Sequence, residues 1–376
     1  MAETAPEPGV EVRVEPADEK TPAYSWYVLS ILILVYILNF VDRQILSILA
    51  EDIKADLNLT DGDIGFLYGT AFGVFYALFG IPLGRLADNW HRVRLMTLGL
   101  ALWSTMTALS GLAKNGMMLA GARIGVGVGE ATASPSAYSL ISDWFPKKRR
   151  ALALALYSSG LYLGGGLSLG IGGLIVENWN EAYPLREMAP LGLAGWQAAF
   201  MAVGLPGLLV AAWVFTLREP IRGQSEGIET PPHPAPFRDF ARGLIAIIPP
   251  LTVIGAALQS RRVLAANLIA GAVVIGIVWL MVAVIGEPWT QWVAIGIGVY
   301  AVFSWAYQLK INDPPAFALI IGTPAFLLAI FAFGLNAFLS YSVSFWAAPY
   351  ALRTFPVSES EVGWIIGSVG ASAGFL

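Results

Sequence analysis

Residues 25–48 read SWYVLSILILVYILNFVDRQILSI. A helix rising 1.5 Å per residue needs about 20 mainly apolar residues to cross the hydrocarbon core of a bilayer. This stretch supplies them, with charges only at Asp42 and Arg43. The same reading recurs at 63–86, 95–113, 117–142, 150–176 and 195–217, with short connections between. Further apolar stretches lie at 263–286, 291–309 and 324–348, and another opens at Val362. Composition agrees: 56% of the chain is hydrophobic, 13% is charged and mean hydropathy is +0.66. Average soluble domains carry about 25% charged residues, so lipid must be the solvent for much of this surface. The expected fold class is an all-α polytopic membrane protein.

What is scarce narrows the function. The chain has no cysteine, which excludes disulfides, thiolate metal sites and thiol nucleophiles. Its two histidines, His91 and His233, fall in predicted loops, so no metal site or cofactor is expected, and no enzyme chemistry. No basic run points to nucleic acid, and the net charge of −4 says little. Residues 1–23 are acidic and proline-bearing, without apolar periodicity, and are expected to be a disordered tail. They lack the basic start and cleavage site of a signal peptide.

Basic residues set the expected orientation. Arg85, Arg92 and Arg94 follow the second span, and Lys147, Lys148, Arg149 and Arg150 follow the fourth. The loops after the first, third and fifth spans hold one basic residue each: Lys54, Lys114 and Arg186. The even loops and the N-terminus are therefore expected to be cytoplasmic, in a multi-pass plasma membrane protein (the inner membrane if bacterial). Domain organisation follows: a six-helix bundle over 24–217, a cytoplasmic loop over 218–262, a transmembrane hairpin over 263–310, and the start of a second bundle over 311–376. Within the loop, 237–260 is interrupted by Pro249-Pro250, carries Arg238, Asp239 and Arg242 at its start, and reads as an interfacial helix.

Two spans carry charges that lipid penalises. Asn39, Asp42 and Arg43 share a face of the first span by their three- and four-residue spacings. They face a cavity or partner, or snorkel from the outer half of the helix to water. Arg123 and Glu130 lie two turns apart in the fourth span, around Gly125, Gly127 and Gly129, with Pro135 beyond to bend the helix. They read either as a static ion pair with the first span or as a proton site, since burial favours the neutral form of a carboxylate. The four formal charges cancel, so protonating one acid leaves a net positive site. That is a physical basis for coupling a substrate to a proton.

The loop Gly84-Arg85-Leu86-Ala87-Asp88-Asn89-Trp90-His91-Arg92-Val93-Arg94 is either a topology signal or a lock between helices. It resembles the cytoplasmic signature loop of the major facilitator superfamily. Gly84, Asp88, Arg92 and Arg94 match that pattern, whereas Asn89 and His91 stand where arginine and glycine are usual. Asn39-Phe40-Val41-Asp42-Arg43, taken with Arg123-Ile124-Gly125-Val126-Gly127-Val128-Gly129-Glu130-Ala131 and Ser134-Pro135, resembles the spinster-like branch of that superfamily. The likeness covers 24–217 and resumes at 325–350; the hairpin 263–309 lies outside the twelve-span plan. The glycines from Gly160 to Gly173 resemble an antiporter motif, and read equally as close helix packing.

The resemblance implies a secondary transporter working by alternating access. Animal members of the branch move sphingosine-1-phosphate and lysophospholipids, and acids matching Asp42 and Glu130 are implicated there in proton coupling. The expected function is thus proton-coupled movement of an amphipathic, lysolipid-like substrate, by a monomer whose partners are the bilayer, the substrate and protons. A carrier of a small organic anion or sugar on the same fold is the alternative; a non-transporting membrane scaffold or sensor is another. Glu130 and Asp42 are the expected proton sites, with Arg43 and Arg123 as charge partners. Asn39, Tyr68, Tyr76, Tyr138, Tyr157, Asn336, Tyr341 and Ser342 are candidates to line the cavity. Two six-span halves make a complete transporter of this kind, so the chain is expected to lack most of its second half.

Overall fold

The computed structural model describes residues 21–227, 233–286 and 288–372. Almost all of the predicted acidic tail therefore lies outside the described residues. The first span runs Ala23–Ile48 and the second Asp61–Asn89; the third is Arg92–Ser110, the fifth Lys147–Ala182 and the sixth Gly195–Phe215. The ends are set by local chemistry. Thr60 and Asp63 form a reciprocal capping box at the start of the second span. The Asn115 side chain accepts from Met118 N at 2.9 Å and opens the fourth.

The fourth span is not the continuous 117–142 helix the sequence predicts. It breaks into Gly116–Glu130 and Ala133–Trp144. Pro135 has no N–H to return to the carbonyl of Ala131 four residues back, so the ladder fails there. The predicted interfacial helix also departs from one rod. It forms Pro236–Ile247 and Leu251–Gln259, bent by 101° across Pro249-Pro250.

Seven described helices are long and apolar enough to cross a membrane, or up to eight if the bent pair is one span. The third span, the broken fourth and the 14-residue helix Glu359–Ser372 join the bundle without meeting that measure singly. The hairpin helices are Arg261–Val284 and Trp289–Asn312. The first hairpin helix is largely exposed, with Leu268, Ile269, Ile275 and Trp279 on its surface, as lipid contact requires. The second docks on the second span around Leu78, Ile247 and Ala301.

Two large apolar cores lie among the described residues of the bundle, with a smaller cluster at Leu83, Leu86, Leu95 and Ala131. One large core gathers Val35, Leu100, Trp103, Leu140, Phe145 and Tyr157; the other gathers Ile45, Leu46, Leu119, Trp196 and Phe200. Along the first span Asn39 falls between these two, and Asp42 and Arg43 follow Val41 at the near edge of the second core. The fifth span uses its glycines on two faces. A Cβ at Gly160 or Gly172 would press on Tyr36 or on Ile48 of the first span, and one at Gly170 on Trp364 of the last helix. Close packing accounts for that motif. The seventh span, Pro324–Thr354, buries only Phe345, Ala348 and Pro349, near its far end. Toward Pro324 it stands away from the described bundle.

Candidate functional site

Close helix approach builds the site. A Cβ on Gly127 would sit 2.6 Å from the Phe72 carbonyl oxygen, and one on Gly129 2.8 Å from that of Gly99. Only glycine lets the fourth span come that near the second and third. The approach carries Arg123 and Glu130 fully into the interior, where both are 0% exposed. Asp42 is 2% exposed and Asn39 1%, so the first-span charges face inward and do not snorkel to water.

The partners are specific. Arg43 Nε donates to Glu130 Oε2 at 2.6 Å. Arg123 Nη1 donates to the backbone carbonyl of Asp42 at 3.2 Å, and its Nε and Nη2 have no hydrogen-bond partner. The other Glu130 oxygen and the Asn39 amide nitrogen are also unpartnered. Arg43 lies over the rings of Phe40, Phe72 and Tyr76 at 4.7–5.0 Å, which holds its charge in place without a second carboxylate.

Beside this pair opens a cavity of about 330 Å³, lined by Arg43, Tyr68, Phe72, Tyr76, Arg123 and Tyr341, with Gly69 and Gly73 leaving room. Three of the tyrosines the sequence offered, Tyr68, Tyr76 and Tyr341, therefore do line it. Tyr157 is buried behind, stacked on Tyr36 at 4.3 Å, and Tyr138 meets its edge. Asn336 is exposed on the splayed part of the seventh span and does not line the cavity. Phe72 is the wall residue that polarity did not single out.

The end of the cavity nearer Ile48 is closed. Gln44 Nε2 donates to Ser344 Oγ at 2.7 Å, Tyr68 OH donates to Gln44 at 2.5 Å, and Tyr68 stacks on Phe345 at 3.9 Å. Beyond them Arg353 binds Glu51 at 2.9 Å and Asp61 at 2.7 Å, and Lys54 binds Asp61 at 2.5 Å. Asp52 sits beside this cluster. Burial, then the nearby carboxylates of Glu359, Glu51 and Asp56, push its pKa up to about 6.

At the opposite, basic end the signature loop has partners the sequence did not reveal. Arg92 is fully buried, binds Asp143, and donates to Glu219 at 2.7 Å, Ser139 Oγ at 2.9 Å and the Pro220 carbonyl at 2.9 Å. Glu219 also accepts from Val93 N at 2.9 Å, where a negative charge suits a helix N-terminus. Arg222 donates to the carbonyls of Ala87 and Trp90. Asp88 and Arg94 are exposed, and among the described residues Asp88 forms no ion pair. The loop thus braces one bundle through Arg92; Asp88 and Arg92 do not pair with each other. The space around Gly84 is open.

Known proteins are similar to this chain. The family model of the Major Facilitator Superfamily matches residues 32–376. An MFS-type efflux pump of Mycolicibacterium smegmatis is 34% identical over 207 residues, covering 55% of this chain and 45% of that protein. Protein spinster of Drosophila melanogaster is 28% identical over 54% of this chain and 31% of its own length. A probable galactarate/D-glucarate transporter of Bacillus subtilis is 29% identical, over 55% and 43%. The chain spans less than half the length of these curated relatives. Among solved structures, a bacterial homologue of the human lysosomal transporter Spinster, inward-facing and occupied, is similar at a TM-score of 0.52 and 25% identity, covering 94% of this chain and 92% of that one. The chain belongs to the Major Facilitator Superfamily.

Proposed function

We propose that this chain provides the substrate and proton site of a secondary transporter that moves an amphipathic, lysolipid-like substrate with an anionic head by alternating access. The observation that supports it most is the buried Arg43–Glu130 pair at 2.6 Å beside a cavity into which Arg43 and Arg123 both face. With Glu130 ionised, Arg43 is neutralised. A proton on Glu130 removes its charge and leaves Arg43 and the two unpartnered donors of Arg123 for an anionic group. Substrate and proton then enter together without a net buried charge. Asp42, equally buried, is the second proton carrier. Aromatic walls of Tyr68, Phe72 and Tyr76 suit the apolar part of an amphipath.

The contacts that close the Arg353 end, and the splay of the seventh span at the basic end, support an inward-open arrangement, provided the basic end is cytoplasmic. In that orientation the N-terminus is cytoplasmic and the protein lies in the plasma membrane, acting as a monomer. Asp88 then acts as a gate residue, free in this state to bind an element of the other half. A second reading, a carrier of a small organic anion, is favoured by the two converging guanidiniums and by the relative named as a sugar-acid transporter.

The test is uptake in proteoliposomes with and without an imposed pH gradient, across lysolipids and sugar acids. Glu130→Gln is expected to abolish the response to the gradient while substrate binding persists. A variant that still responds as wild type does would overturn the assignment.

A further inference from the structure

At the basic end, outside the central cavity, the second span, the bent helix pair and the second hairpin helix line an open second cavity of about 660 Å³. Its polar lining includes Arg85, Arg242, Gln259, Gln308 and Asn312. Its apolar lining is Ile245, Ala246 and Leu258. Hydrogen bonds hold the elements around it together. Ser304 Oγ donates to the Ala246 carbonyl at 3.3 Å, and Thr252, Tyr300 and Asn267 form a buried chain at 3.2 and 3.3 Å. Bent pair and hairpin are therefore one docked unit, and the cavity is built by it.

The charges are unequal. Asp239 also lines the cavity, but it is engaged by His233 at 3.2 Å and by Arg242 at 3.3 Å. Arg85 has no ion pair among the described residues. Two guanidiniums against one carboxylate leave a formal charge of one positive. Gln259 donates to Asn312 at 3.2 Å, which leaves the Asn312 amide hydrogens and the Gln308 amide as further donors. Exposed Arg238, Arg261, Arg262 and Lys310 stand on the neighbouring stretches. The cavity lies at the ends of Leu251–Gln259 and Trp289–Asn312, where a spanning helix meets the headgroup region, and the exposed first hairpin helix starts two residues after the lining residue Gln259.

We propose that this cavity binds the phosphodiester headgroup of a monoanionic phospholipid, Arg85 and Arg242 holding the phosphate and Ile245 and Leu258 meeting the glycerol and the first acyl carbons. One net positive charge matches one phosphodiester charge. The apolar lining would add nothing to the binding of a soluble phosphate, and so favours the lipid source. The hairpin then has a role that the transport cycle does not require of it: it completes a lipid site on the flank of the bundle.

The experiment is native mass spectrometry of the full chain, relipidated with phosphatidylglycerol or with phosphatidylcholine. Wild type is expected to retain phosphatidylglycerol in preference to phosphatidylcholine. Arg85→Gln with Arg242→Gln is expected to lower that retention about tenfold, the scale of losing charge-assisted bonds. Asp239→Asn is expected to raise it, a gain that a misfolded protein cannot mimic. Equal retention of the two lipids, or unchanged retention in the double variant, would overturn the proposal. Displacement of the lipid by millimolar inorganic phosphate or glycerophosphate would overturn the lipid source and leave a site for a soluble anion.

Discussion

Arg43 and Glu130 lie 87 positions apart in the chain and meet at 2.6 Å in an interior that excludes solvent from the carboxylate. Arg123, on the same helix as Glu130, takes the Asp42 backbone instead. The ranking of two substitutions follows. Arg43→Ala strands a buried carboxylate and should cost about 3–5 kcal/mol, or drive Glu130 to hold a proton. Arg123→Ala removes one donor to a carbonyl and should cost less, about 1–3 kcal/mol. Adding Glu130→Gln to Arg43→Ala should recover much of the loss. Thermal unfolding in one detergent checks all three, and Arg123→Ala proving the more damaging would contradict the pairing.

Arg92 and Asp88 should separate stability from transport. Arg92→Ala leaves Asp143 and Glu219 facing each other without their shared cation, and a loss of about 3–5 kcal/mol is expected. Asp88→Asn alters an exposed side chain, so melting should move little, within about 0.5 kcal/mol. Transport by Asp88→Asn should fall at matched expression. If uptake is unchanged, the loop is a brace and nothing more.

Asp52 gives the Arg353 end a pH dependence of definite sign. Its folded pKa, about 6, is above the ordinary carboxylate range, so the folded form binds the extra proton. Between about pH 4 and pH 6 stability must therefore fall as pH rises, by an amount on the order of 1–2 kcal/mol once partial exposure is allowed for. Asp52→Asn should remove this slope and stabilise the protein at pH 7. Melting curves of wild type and variant across pH 4–8 test it; parallel curves would show that Asp52 titrates normally.

Orientation can be read directly because the chain has no cysteine of its own. Arg149 and Glu187 are both exposed, at opposite ends of the fifth span and its following loop. A cysteine replacing Arg149 should react only after the membrane is permeabilised, and one replacing Glu187 should react in intact cells. The reverse pattern would invert the proposed topology.

The charged site was legible because lipid makes charge conspicuous: Asp42, Arg43, Arg123 and Glu130 stood out of apolar runs, and the structure brings them together. Their pairing was not legible. Helical spacing gives the face a residue occupies, but not how two helices are turned against each other, and that turn decides that Arg43 reaches Glu130 first. Asp143, Glu219 and Arg222 were missed for the opposite reason. They lie in stretches where charge is cheap, so nothing marked them until Arg92 was seen to be buried. Pro135 and Pro249-Pro250 marked the two helix breaks. The position of the first, a turn earlier at Ala131, follows from where the missing N–H would have bonded, and the 101° of the second is a tertiary outcome.

The two-sided glycine face of the fifth span has a mechanical consequence. Where Gly166 meets Gly367 and Gly173 meets the Glu359 backbone, main chain rests on main chain, and between them the Trp364 ring lies on Gly170. The two backbone contacts resist sliding little, because no side chain there must change rotamer, whereas the Trp364 ring has to leave Gly170 before the last helix can shift. On the other face, Gly160 and Gly172 seat against the ring of Tyr36 and the branched side chain of Ile48, and there a displacement has to climb over bulk. The fifth span is thus keyed to the first by Tyr36 and Ile48, and rides on the last helix over bare backbone with Trp364 as its catch.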